Sequence, residues 1–147
     1  MKRDAVRAIL RLWGKAEREN KALDREIKTL VDEIDALRGL HAMRNDGMPH
    51  GTEVSHPTED SAVAILDMMA AKRARLSEVF RRMEANERLI DRITFAMVLA
   101  KNAELLRRYY HDGVRPMEKV ADEFHVSTRA ALYMERDGID SITDLIL

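Results

Sequence analysis

Chemistry in a protein chain begins with residues that can bind, attack or transfer protons, and here the first such group is His50 and His56 near Glu53, Glu59 and Asp60. These are metal-ligand types, but they lack the compact spacing from which metal sites are built, so they read as a polar loop. Ser55-His56 with Asp60 nearby holds the residue types of a triad. Nucleophilic catalysis also needs a rigid scaffold and an oxyanion hole, which a loop rich in Gly and Pro does not supply. There is no glycine-rich phosphate cradle. The absence of cysteine from 147 residues excludes disulfides and thiolate nucleophiles or metal centres, and a reducing cytoplasm is the expected setting. None of these groups, then, reads as a catalytic, metal-binding or phosphate-binding site.

A second group of residues points to nucleic acid. Val120-Ala121, Phe124, Val126, Ser127, Ala131 and Met134 have the order of two short helices crossing at a tight turn. The small Ala121 lets the helices approach, Phe124 and Val126 close the turn, Ser127 caps the second helix, and Ala131 and Met134 face inward. His125 stands where glycine is commonest, and histidine tolerates a left-handed backbone better than β-branched residues do. With Ala131 and Met134 inside, Ser127, Thr128, Arg129, Tyr133 and Arg136 lie on the outward side, where arginine can bond guanine through two donors. Arg115 and Lys119 would flank the phosphate backbone.

The elements that must position these groups are helices. Near the N-terminus residues recur at 3,4 spacing: Val6, Trp13, Asn20, Ile27, Ile34 and His41 take one heptad position, and Ile9, Ala16, Leu23, Leu30 and Leu37 the other. This predicts a helix over about 3–38, roughly 54 Å long. Residues 39–58 hold three of the six glycines and two of the three prolines, and predict a long loop, mobile between about Arg44 and His56. Thr58 then caps a second helix with Ala62, Ile65, Met69, Leu76, Val79, Met83, Ile90, Ile93 and Met97 inward, its stripe widened by Leu66 and Phe80. The methionines, Met68 and Met69 among them, read as core filling. Two such helices fold back as an antiparallel hairpin. Symmetry about the loop sets Asn20 opposite residue 77, apart from Asn86. A buried asparagine can then bond a symmetry mate, which predicts a homodimer through Asn20, Leu23, Ile27, Leu30 and Ile34 of helix 1; the alternative is a solvent-facing Asn20 on an incompletely covered seam.

The fold expected is all-α: a helical hairpin or coiled coil over 1–100, then a helix-turn-helix domain over 101–147. That domain comprises a helix over Asn102 to Tyr110 stopped by His111-Asp112-Gly113, a short helix opened by Pro116 and ending at Phe124, and one from Thr128 to about Arg136 ended by Gly138. No apolar run reaches the roughly 20 residues that cross a bilayer, and the N-terminus leads directly into charged, amphipathic sequence, so neither membrane nor leader is expected.

The stretches Leu105-Leu106-Arg107-Arg108-Tyr109-Tyr110, Asp112-Gly113, Val120-Ala121-Asp122-Glu123-Phe124 and Val126-Ser127-Thr128-Arg129 resemble the last DNA-binding domain of bacterial sigma factors. With the heptad helices and the Met48-Pro49-His50-Gly51 loop, the whole arrangement is similar to sigma-like phage transcriptional regulators of the ArpU and RinA type. The resemblance implies regulation of late phage genes by binding promoter duplex DNA, without enzymatic activity or a cofactor. Such proteins carry a basic run along the recognition helix. Here Glu135, Asp137 and Asp140 stand there instead, and residues 101–147 hold seven Lys+Arg against nine Asp+Glu. Phosphate neutralisation supplies much of DNA affinity, so the module needs a second copy, basic charge from elsewhere or a protein partner. Arg7, Arg11 and Lys15, one turn apart near the N-terminus, are either that charge or a solvated face. The alternatives are a helical protein-interaction module, whose coiled coil binds a partner such as RNA polymerase or a phage protein, and a small terminase subunit that oligomerises through its long helices.

Overall fold

The computed structural model describes residues 1–45 and 56–147, and among these every regular element is helical. In order they are α1 (Lys2–Asn45), α2 (His56–Leu99), α3 (Ala103–Leu106) running into a π-helical turn (Arg107–His111), α4 (Met117–Glu123) and α5 (Thr128–Ile146). No helix among the described residues is long and apolar enough to cross a membrane.

Both long helices outrun their expected ends. Gly39 is exposed, with nothing near the place a Cβ would occupy, so it only weakens local propensity by about 1 kcal/mol and α1 continues through it to Asn45. At the other side α2 starts at His56, with Pro57 in its first turn, where a missing N–H costs nothing. Thr58 therefore lies inside α2 rather than capping it. The Met48-Pro49-His50-Gly51 motif, Glu53, Ser55 and most of the segment expected to be mobile lie outside the described residues.

The described chain divides into two compact units. One is Ala22–Met83, in which α1 and α2 pack side by side. Ile34 and Leu37 bury against Ile65 and Met69, while Leu23 and Leu30 bury against Val79, with Ile27, Leu76 and Met83 half-buried around them. Ion pairs border these layers: Lys72 to Glu33 at 2.6 Å and Arg75 to Glu26 at 2.7 Å. The Arg75 guanidinium holds the Glu26 carboxyl below its ordinary range. Leu66, Phe80 and Met68 are exposed, so the stripe of α2 is narrower than its composition suggests, and only Met69 of the methionine pair fills core.

The other unit joins Met1–Lys21 to Glu84–Leu147. Its main core takes Val6, Leu10 and Trp13 from α1, Ile93 and Ala96 from α2, Leu106 and Tyr110 from the α3 segment, and Ile139, Ile142 and Ile146 from α5. The expected boundary near residue 100 falls inside this unit. Leu10, outside the heptad, is fully buried because α1 meets more than α2 at this end. Here too Asn86 Nδ2 donates to Asn20 Oδ1 at 2.9 Å. The expected pairing with residue 77 is thus wrong. It took a loop over 39–58 as its centre, whereas α1 runs on to Asn45 and α2 starts at His56, which moves the centre toward the register in which the asparagines meet.

Gly138 does not end α5 but lies buried at its centre, and the helix runs ten positions past Arg136, to Ile146. A Cβ at Gly138 would stand 2.7 Å from the Lys101 carbonyl oxygen and 2.9 Å from Leu106 Cδ1. The glycine is a notch for backbone, and a helix can carry one where close packing repays its propensity cost. Gly14 does the same in α1: a Cβ there would collide with the His111 carbonyl oxygen.

Candidate nucleic-acid interface

The α4–α5 corner starts at Pro116, which precedes α4 in extended backbone rather than opening it as a helical residue. Phe124, His125 and Val126 then turn the chain. The Val126 N–H bonds the Ala121 carbonyl at 3.0 Å and the His125 N–H bonds the Asp122 carbonyl at 3.2 Å, with His125 left-handed at φ 56°. This pair of bonds is a Schellman closure, which satisfies the last carbonyls of α4. Ser127 Oγ next accepts the Ala130 N–H at 3.1 Å and caps α5, as its position predicts. Val120, Ala121 and Ala131 are buried together with Leu105 and Met117, and Tyr109, Val114, Phe124, Val126 and Met134 close the cluster.

This packing decides which side of α5 is outside. Arg129, Tyr133 and Arg136 follow one another at 4,3 spacing on a single exposed stripe, and the Arg129 guanidinium lies 5.9 Å from the Tyr133 ring centroid. Ser127 is exposed but its hydroxyl is engaged as the cap, and Thr128 is half-buried. Lys119 is exposed on α4. Arg115 is exposed and held: its guanidinium is 4.1 Å from the Tyr109 ring centroid, and Nη1 donates to the Tyr109 hydroxyl at 3.0 Å. All seven residues expected to meet DNA belong to this unit.

The dimerisation set is placed differently. Leu23, Leu30 and Ile34 are buried, Ile27 is half-buried, and Asn20 has its bond to Asn86 within the chain. The reason for requiring a symmetry mate at Asn20 is therefore removed.

The acids of α5 stand where the resemblance implies a basic run, and the structure gives two of them partners on α1. Glu135 is buried; Arg7 Nε and Nη2 donate to its two oxygens at 2.9 and 3.1 Å, and the Tyr110 hydroxyl donates at 2.7 Å. Burial pushes the Tyr110 hydroxyl well above its ordinary range, with the Glu135 carboxylate adding to the effect. Asp140 accepts Arg3 Nε at 2.7 Å and Nη2 at 2.9 Å, and this guanidinium holds its carboxyl below the usual range. Two of the N-terminal bases thus serve inside the molecule, while Arg11 and Lys15 are exposed. The heptad pattern could not show these pairs, because they join residues at opposite ends of the chain.

A second polar knot lies at the end of the π-helical turn. His111 bridges Glu17 through Nε2 and Asp112 through Nδ1, the latter at 2.7 Å, with the Trp13 ring edge-on at 4.8 Å. Burial pulls the imidazole pKa down, but its bonds to Asp112 and Glu17 outweigh burial and leave it raised. Arg108 holds Asp112 at 2.9 Å and Glu123 at 2.7 Å, joining this knot to α4. Among the described residues no group of three or more His, Asp or Glu is arranged to hold a metal ion. Comparison with family models, with characterised proteins and with solved structures finds no match to this chain, so the functional reading rests on its own residues.

Proposed function

We propose that this chain is a DNA-binding transcription regulator of phage type, without enzymatic activity or cofactor, in which α4 and α5 act as a helix-turn-helix. The observation that carries the reading is the single exposed stripe of Arg129, Tyr133 and Arg136 on a helix whose opposite side is locked to α4 through a short capped turn. A rigid mount of that kind is what a groove-reading helix requires. Arg115 and Lys119 stand ready for phosphate on the approach to α5 and on α4. Because residues 101–147 carry two more acids than bases, two modules on one DNA would hold it better than one, and a homodimer belongs to the proposal on that ground.

Fluorescence titration of the intact protein against genomic duplex fragments at low salt tests it. Arg129→Ala should lose preference between related sites, a contact worth about 1 to 3 kcal/mol of discrimination. Lys119→Ala should weaken binding to all sequences alike and shrink the salt slope by about one unit. A second reading, a helical protein-interaction module, is favoured by Phe95, Val98 and Leu99, which stand exposed together near the end of α2. Failure of the intact protein to retain any duplex would put that reading first, and a ring oligomer on packaging-site DNA would identify a small terminase subunit.

A further inference from the structure

Asp140 continues the stripe of α5. Arg129, Tyr133, Arg136 and Asp140 fall at 4,3,4 spacing, which on a helix sets all four along one line. An unpaired carboxylate at the fourth place would sit beside any phosphate backbone drawn to the first three and repel it. It is not unpaired: Arg3, from the first turn of α1, grips both oxygens in a two-bond fork, through Nε at 2.7 Å and Nη2 at 2.9 Å. Both side chains are close to half exposed, so the pair lies at the surface where a ligand would meet it. Arg136 lies near enough to act on the Asp140 charge as well, but its place on the stripe leaves it the job of contacting DNA.

We infer that Arg3 is a positioning residue of the DNA site: by neutralising Asp140 it makes the whole stripe of α5 acceptable to a phosphate backbone, so the first turn of α1 belongs to the interface. The inference rests on the DNA-binding reading above. It differs from that reading in placing a determinant of affinity more than a hundred residues away from the helix-turn-helix.

Charge and scaffold roles of the pair separate in a set of four full-length proteins: wild type, Arg3→Ala, Asp140→Asn and the double variant. Each is titrated onto a labelled mixed-sequence duplex at about 50 mM and about 200 mM salt, and melted to check folding. Arg3→Ala should bind several-fold more weakly at the lower salt, Asp140→Asn should bind as well as wild type or better, and the double variant should return to the wild-type value. The differences should narrow at the higher salt as screening grows. Melting points should move little, because exposed ion pairs contribute little to stability. Equal weakening by both single variants, or no rescue in the double, would make the pair a structural latch and overturn the inference while leaving the DNA reading intact. Identical affinities for all four would also overturn it. If wild type itself retains no duplex, both fall together.

Discussion

His111 is the residue through which pH should reach this fold. Its ring nitrogens join Glu17 of α1 to Asp112, and its pKa is raised because those two carboxylates favour the charged ring more than burial disfavours it. A group raised on folding contributes stability that is complete below its unfolded value, about 6.5, and is lost as pH rises through the folded value. Thermal melts across about pH 6 to 9 should therefore fall on the alkaline side, and His111→Gln should flatten that limb. Asp112 works in the opposite sense. Its carboxyl is held low, first by His111 and then by Arg108, so its contribution is present above the ordinary carboxylate range and is lost in acid. A melting curve unchanged between wild type and His111→Gln across that range would remove His111 from any part in stability.

At the scale of elements, two glycines decide how closely helices meet the 101–111 segment. Gly14 brings α1 against the His111 carbonyl, and Gly138 brings α5 against the Lys101 carbonyl. Alanine raises helix propensity by about 1 kcal/mol over glycine, so a propensity argument expects both Gly→Ala changes to stabilise. The contacts expect the reverse. Backbone cannot swing aside as a side chain tip can, and Gly14→Ala and Gly138→Ala should each destabilise by about 1 to 3 kcal/mol in chemical denaturation. Gly39→Ala, with open space around it, is the control that should stabilise.

The same glycines mark where helices could be read from sequence and where they could not. Periodicity located both long helices, and turn chemistry located Ser127 as a cap and His125 as a left-handed residue, since these signals are local. Gly39 and Gly138 both resemble stops, yet what decides a helix end is what surrounds the glycine in space. Asn20 and Asn86 carried a clue to register that the assumed loop over 39–58 turned the wrong way. The Arg129, Tyr133 and Arg136 stripe was legible from helical spacing. Its continuation to Asp140 and the Arg3 that masks it were not, because ion pairs between chain ends leave no mark in either segment alone.

At the scale of the molecule, one unit is a stretch of continuous sequence and the other is gathered from both ends of the chain. Val6, Leu10 and Trp13 share a core with Ile139, Ile142 and Ile146. Deleting Ile146 and Leu147 should thus be felt at the N-terminus. Loss of one fully buried isoleucine costs about 2 to 5 kcal/mol, and hydrogen exchange at Val6 to Trp13 should quicken with it, whereas exchange at Leu23 to Ile34 should change less. Protection around Leu10 that survives the deletion would show that α1 and α2 hold that core unaided.

This construction from both ends also sets an order of events during synthesis. The layers of Leu23, Leu30, Ile34 and their α2 partners can close as soon as α2 has left the ribosome, whereas Val6, Leu10 and Trp13 have only Ile93 and Ala96 of α2 until the later helices arrive. Throughout that interval the earliest apolar residues of the chain have no finished core. Arg3 and Arg7 likewise acquire Asp140 and Glu135 only when α5 arrives. A chain stalled before α5 would leave Arg3 without Asp140, Arg7 with Asp4 alone, and its first core open.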